Sequence, residues 1–256
     1  MIYLGTSGFS FKDWIGPVYP ENIKNHQMLK YYWAILKFNA VEINFTYYRM
    51  PSYKAIVSLI RRTPESFKFA VKVPKHITHE AWRGEYNSGV IAEYLKAIDP
   101  MEKEERLLIH LAQFPFSFKY SEDGLKYLKR ISKAIRPLAV EFRHKSWDRE
   151  ETYKTLREME ITYVTVDEPQ LKDLFPYKPL ATTDVVYFRF HGRNPHWFDN
   201  LGDRYDYYYS DNDISKFAKD IRSFFGKVSK ILVFFNNCHV GNAVKNAQRL
   251  REILGV

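Results

Sequence analysis

Charged and polar side chains recur at every second position within short apolar runs, close to the C-terminal end of one run after another. In Leu138–Arg143, the residues Leu138, Val140 and Phe142 alternate with Ala139, Glu141 and Arg143. In an extended chain these sets point to opposite faces, and one face alone can pack against a helix. The same alternation puts Glu42 and Asn44, Lys72, His110, Asp167, and Arg189 with His191 on one face of their runs. A bare charge in an apolar interior is costly, so this set needs mutual pairing, water or a ligand.

The residue types limit the chemistry. The carboxylates Glu42, Glu141 and Asp167 with the imidazoles His110 and His191 suit either one divalent metal ion or an acid/base pair. The cations Lys72, Arg143 and Arg189, with the backbone amides of Gly5–Gly8, suit a phosphate or a carboxylate, and the two arginines match paired oxygens best. Three acids balance three bases, so the set can also neutralise itself, and the acid excess of a multi-metal site is missing. Ser7, Asn44 and Asn236, with Gln113 and His76, add neutral contacts at other run ends. Aromatic residues crowd the segments after the runs. Trp14, Tyr47 and Trp147 are expected to stack on a base or sugar ring above a cationic floor. Two weaker patterns carry less. Gly5-Thr6-Ser7-Gly8 lacks the lysine of a phosphate-binding P-loop, and His76-Ile77-Thr78-His79-Glu80 has the wrong order for a zinc-protease helix and follows Pro74, which favours a loop.

Eight apolar runs read as strands, at 2–7, 40–46, 67–73, 106–113, 138–143, 163–168, 185–191 and 231–237. Helical spacing fills most gaps, at Asn25–Phe38, Pro51–Arg62, Ser88–Ile98, Ser121–Ile135, Asp148–Glu158, Asp213–Phe225 and Gly241–Ile253, with Pro100 and Pro137 as stops. Each unit has room for a strand, a loop and a helix, which predicts an α/β fold, a (β/α)8 TIM-type barrel spanning residues 1–256 as one domain. Residues 169–184 contain Pro169, Pro176 and Pro179 with little helical period, so the sixth helix is expected to be short or irregular. His191–Ser210 reads as an active-site loop.

A formal net charge of +9 attracts anions, so nucleic acid or a phosphorylated small molecule is the expected partner. The single cysteine, Cys238, allows no intrachain disulfide and reads as a small buried filler. Neither a signal-peptide pattern nor an apolar stretch of roughly 18 residues is present, so no membrane role and a cytoplasmic location are expected.

The chain is similar to the YecE-like barrel family, a domain of unknown function. The resemblance is carried by Gly5-Thr6-Ser7-Gly8-Phe9 with Trp14 and Tyr19-Pro20, by Val41-Glu42-Ile43-Asn44-Phe45-Thr46-Tyr47-Tyr48, and by Phe67-Lys68-Phe69-Ala70-Val71-Lys72-Val73-Pro74. It continues through Gln113-Phe114-Pro115, Glu141-Phe142-Arg143-His144-Lys145-Ser146-Trp147, Tyr187-Phe188-Arg189-Phe190-His191-Gly192 and Phe235-Asn236-Asn237. It implies a TIM-type barrel similar in architecture to the endonuclease IV and xylose isomerase group, whose carboxylates and histidines hold metals at strand ends. It implies no reaction. Three functions follow as expectations. The first is binding of a phosphate-bearing ligand, nucleic acid or nucleotide, with phosphoester hydrolysis in which Glu141 and Asp167 activate water and His110 or His191 protonates the leaving oxygen. The second is a sugar or sugar-phosphate isomerase or lyase using Lys72 or Glu141 as base, and the third is a non-catalytic nucleic-acid-binding module.

Overall fold

The computed structural model describes residues 1–84, 86–198 and 203–256, so four residues of the predicted active-site loop, 199–202, lie outside the described residues. Eight parallel strands form one sheet: β1 (Ile2–Thr6), β2 (Ala40–Ile43), β3 (Lys68–Lys72), β4 (Leu107–Gln113), β5 (Leu138–Glu141), β6 (Thr162–Asp167), β7 (Val185–Phe190) and β8 (Lys230–Phe235). From β2 to β8 each strand pairs with its sequence neighbour, and β1 pairs with β8 with Ile2 opposite Ile231. The helices are α1 (Asn25–Ala34), α2 (Phe45–Tyr48), α3 (Tyr53–Arg61), α4 (Ser88–Lys103), α5 (Glu122–Ala134), α6 (Glu150–Glu158), α7 (Asp211–Arg222) and α8 (Asn242–Leu254). This is the expected (β/α)8 barrel, nearly closed.

The remaining seam, between β1 and β2, is closed mostly by side chains. Leu4 N donates to Asn39 Oδ1 (2.8 Å), Asn39 Nδ2 donates to Ile2 O (2.9 Å), and Thr6 N donates to the Tyr32 hydroxyl (2.8 Å). Only at the top do the strands meet directly, where Ser7 bridges Glu42 and Gly8 N donates to Glu42 O. So close an approach needs glycine at position 5, where a Cβ would lie 2.1 Å from Ala40 O and 2.8 Å from the Tyr32 hydroxyl.

The helices start where side chains can satisfy free amides. Ser52 caps α3, Ser121 caps α5 with Glu122 and Asp123 in its first turn, and Ser210 with Asp213 forms a reciprocal box on α7. Their apolar stripes, such as Tyr127, Leu128 and Ile131 of α5, close over the outer faces of the strands. Two local expectations fail. The helix predicted to stop before Pro100 runs through it to Lys103; burying Ile98, Pro100 and Met101 offsets the one backbone hydrogen bond that proline removes. His76–Glu80, expected as a loop, forms a single π-helical turn. The sixth connection, residues 168–184, carries no helix. Among the described residues no helix is long and apolar enough to cross a membrane.

Gly5→Ala should force β1 away from Ala40 and lower unfolding stability by about 3 kcal/mol. The urea midpoint measures this, and an unchanged midpoint would show that the seam yields without cost.

Candidate functional site

Strand parity decides which polar side chains meet. At the C-terminal ends of the strands, Ser7, Glu42, Asn44, Lys72, Gln113, Glu141, Arg143, Glu168, Arg189, His191 and Asn236 gather around the barrel axis or line the mouth above it.

Their centre is Arg189 on β7. Its Nε and Nη2 donate to Glu42 Oε2 (2.8 Å) and Oε1 (2.6 Å), its Nη1 pairs with Glu141, and all three residues are fully buried. The Tyr187 hydroxyl (2.5 Å) and Ser7 Oγ (2.8 Å) also donate to Glu42. Arg143 pairs with Glu141 Oε1 (2.7 Å) and with Glu168, beneath the ring of Trp197. His191 Nε2 lies 3.2 Å from Glu141 Oε1, and its Nδ1 lies 2.9 Å from Asn236 Nδ2. Nε2 also lies 3.3 Å from Arg143 Nη2 and 3.5 Å from Arg189 Nη1, which can only donate, so the hydrogen bonds place a lone pair on Nε2.

The charges set the titration. Burial alone would raise Glu42 and Glu141, but the guanidiniums hold both below the usual carboxylate range, Glu141 well below. Burial, with Arg143 close by, pushes the His191 imidazole down to about 3, so it is neutral. Glu168 has one guanidinium partner; burial outweighs Arg143 and raises its carboxyl to about 7. Lys72 has no carboxylate within ion-pair distance among the described residues. Its Nζ donates to Gln113 Oε1 (2.8 Å) and sits 4.3 Å above the Tyr47 ring centre, and burial with the charge of Arg189 lowers the ammonium to about 7.

Above this floor opens a cavity of about 470 Å³, lined by Ser7, Glu42, Asn44, Lys72, Gln113, Arg189 and Asn236, with Phe9, Phe11, Phe45 and Tyr205 as walls. Arg49 also lines it, exposed to solvent and free of ion pairs among the described residues. Its guanidinium lies 5.5 Å from the Phe45 ring centre.

Five expected site residues lie outside the cavity and the network beneath it. His110 faces the helices, with Nδ1 2.7 Å from the Tyr94 hydroxyl and Nε2 3.3 Å from Glu102 Oε1, both on α4. It has the opposite parity to Gln113, which is the residue β4 turns inward. Asp167 also points outward, bound by Arg193 and by the Tyr209 hydroxyl (2.7 Å); the next residue, Glu168, takes the inward place. Trp14 and Trp147 are fully buried and cannot stack on a ligand. Trp14 Nε1 donates to Cys238 O (2.6 Å), and Trp147 Nε1 donates to Phe118 O (2.7 Å) while the ring stacks on Phe142. Tyr47 lies beside Lys72 instead of walling the cavity.

The donor set does not suit a divalent ion. Each inward carboxylate is engaged by a guanidinium, and among the described residues no three His, Cys, Asp or Glu side chains converge as metal ligands. Cys238 is buried, with its thiol pushed up by burial, and Sγ lies 3.5 Å from Ser7 O.

The family model described as "Protein of unknown function DUF72" matches residues 3–256. A DUF72 family protein from Thermotoga maritima MSB8 is 49% identical and superposes with a TM-score of 0.95 over 100% of both chains. The UPF0759 protein YunF of Bacillus subtilis (strain 168) is 27% identical over 275 residues, covering 100% of this chain and 95% of YunF. SacUVDE, 7% identical with a TM-score of 0.56 over 99% of this chain and 98% of its own, is similar in fold.

Glu168 ionises near 7 when folded and near 4.5 when unfolded, so the folded state binds more protons between those values. The stability it contributes is full below about 4.5 and lost as pH rises through 7, a change of about 3 kcal/mol. Denaturant midpoints from acid to neutral pH should show this loss in the wild type but not in Glu168→Gln. Parallel profiles would mean that Glu168 titrates alike in the folded and unfolded states.

Proposed function

The chain belongs to the DUF72 family, whose description names no reaction, and from its own site we propose that it binds a phosphate-bearing small molecule, a nucleotide or a sugar phosphate, in the cavity at the C-terminal mouth of the barrel. The observation that carries this reading is how the cations are divided. Arg143 and Arg189 are committed to glutamates, while Lys72 on the floor and Arg49 at the rim line the cavity with no carboxylate partner among the described residues.

Supporting this are the shape and polarity of the cavity. At about 470 Å³ it has the volume of a small-ligand site. It also lies on the barrel face where βα-loops commonly hold phosphate groups. The rings of Phe9, Phe11, Phe45 and Tyr205 offer flat walls to a base or sugar, and Ser7, Asn44 and Asn236 offer polar contacts below them. A long-range contribution comes from the +9 net charge, which raises the local concentration of anions.

The role of the arginines differs from the sequence expectation. They neutralise the barrel centre, and the ligand's phosphate is met by Arg49 at the rim, with Lys72 below it facing the rest of the ligand. Hydrolysis is not part of this reading: Glu141, held by two guanidiniums, is a weak base, and Asp167 and His110 face away.

Calorimetric titration should show binding of ribose 5-phosphate or a nucleoside monophosphate and much weaker binding of the unphosphorylated compounds. Arg49→Ala should weaken that binding about tenfold, or about 1.4 kcal/mol. Equal affinity for the unphosphorylated compounds, or unchanged affinity in Arg49→Ala, would refute the assignment.

A further inference from the structure

Lys72 is placed unlike any other inward charge. Structural cations in this barrel sit between carboxylates, as Arg189 does between Glu42 and Glu141. Lys72 has a neutral partner instead. Gln113 Nε2 donates to Phe114 O (2.9 Å), which turns the amide so that Oε1 accepts from Lys72 Nζ. An amide oxygen accepts from an amine as well as from an ammonium, though more strongly from the ammonium, so this contact holds the nitrogen without requiring charge. The Tyr47 ring covers another side of the nitrogen, and the side chain lines the mouth cavity. Burial first, and then the guanidinium of Arg189, disfavour the ammonium against the opposing pull of Glu141 and Glu42, and so favour a free lone pair.

A second group in the same cavity lacks a partner. Asn44 Oδ1 is buried and accepts no hydrogen bond among the described residues. Leaving a buried acceptor unmade is costly, and a ligand hydroxyl would satisfy it. With Arg49 at the rim for phosphate, the cavity presents a cation, a hydroxyl acceptor and a positioned amine.

We propose that Lys72 forms an imine with a small phosphorylated, hydroxylated aldehyde or ketone, an open-chain sugar phosphate being the type of ligand. This rests on the reading that the cavity takes a phosphate-bearing molecule. The Nζ lone pair adds to the carbonyl carbon, an N–C bond forms, and the C=O electron pair moves to oxygen. That oxygen takes one proton from the nitrogen and a second from solvent and leaves as water, while the nitrogen lone pair closes C=N. Amine, carbonyl and one proton thus give one iminium and one water, with no oxidant or reductant. The iminium withdraws electrons from the neighbouring carbon, the starting point of an isomerase or lyase.

The test is reductive trapping. Wild-type chain incubated with ribose 5-phosphate and sodium cyanoborohydride at about neutral pH, then digested and mapped by mass spectrometry, should carry an adduct on Lys72. That adduct should form roughly tenfold faster than one on any other lysine. Ribitol 5-phosphate, which lacks the carbonyl, should bind and protect Lys72, and Lys72→Arg should lose the adduct. An adduct spread evenly over many lysines, or one that ribitol 5-phosphate leaves unaffected, overturns the proposal. Calorimetry on the wild type without reductant separates the two readings. Phosphate-dependent binding without an adduct overturns the imine alone, and no binding of either sugar phosphate overturns both.

Discussion

The bidentate pairing of Arg189 with Glu42, continued through Glu141 to Arg143, is the constraint on which the rest of the molecule depends. These side chains come from β7, β2 and β5 and the segment after β5, so one chain of ion pairs crosses the barrel between non-adjacent strands. Buried charges repay their desolvation only where geometry is good and every partner is present; removing one leaves an uncompensated charge at a cost of roughly 3–5 kcal/mol. Tyr187 and Ser7 complete the shell around Glu42, and the Glu42 backbone carries the direct contact between β1 and β2. Site and seam therefore share a residue. The network that shapes the cavity floor also closes the barrel at its weakest junction.

That use of the arginines decides what remains for a ligand. Three glutamates satisfy two guanidiniums, and a neutral His191 fills the gap between Glu141 and Asn236. Below the mouth every charge has an opposite charge as its partner, although Glu141 Oε1 and Glu168 Oε1 accept no well-aligned hydrogen bond among the described residues. At the mouth Lys72 rests on an amide, Asn44 Oδ1 accepts nothing among the described residues, and Arg49 reaches into solvent. The boundary between structural and available polar groups is thus a boundary of partnering, and composition alone does not show it.

The fold was legible in the sequence because period two and period 3.6 alternate in segments of the right length, and the missing sixth helix was legible from three prolines. The inward placement of side chains was legible where strand parity is unambiguous, as at Glu42, Lys72, Glu141 and Arg189. It was misread where a run offers polar residues on both faces. In β4, His110 and Gln113 differ by three positions and cannot share a face; in β6, Asp167 and Glu168 are adjacent, and a one-residue slip in counting exchanges them. Val164 and Val166 share the parity of Glu168, so the apolar positions gave no warning. Trp14 and Trp147 were misread because flanking position does not report burial. Arg49 carried no periodic signal, lying in an irregular turn after α2.

The two groups poised near neutrality, Glu168 and Lys72, make one further point about the ring. With Glu42 and Glu141 charged against Arg143 and Arg189, the remaining balance depends on this pair, and both titrate at about 7. A charged Glu168 with a charged Lys72 has the same number of protons and the same net charge as a neutral Glu168 with a neutral Lys72. Burial and Arg189 lower Lys72 against Glu141 and Glu42, and burial raises Glu168 against Arg143, so each titration has its own causes. Among the described residues Lys72 belongs to none of the ion pairs, and it can present a free amine to a carbonyl without rearranging the pairs that hold the barrel together.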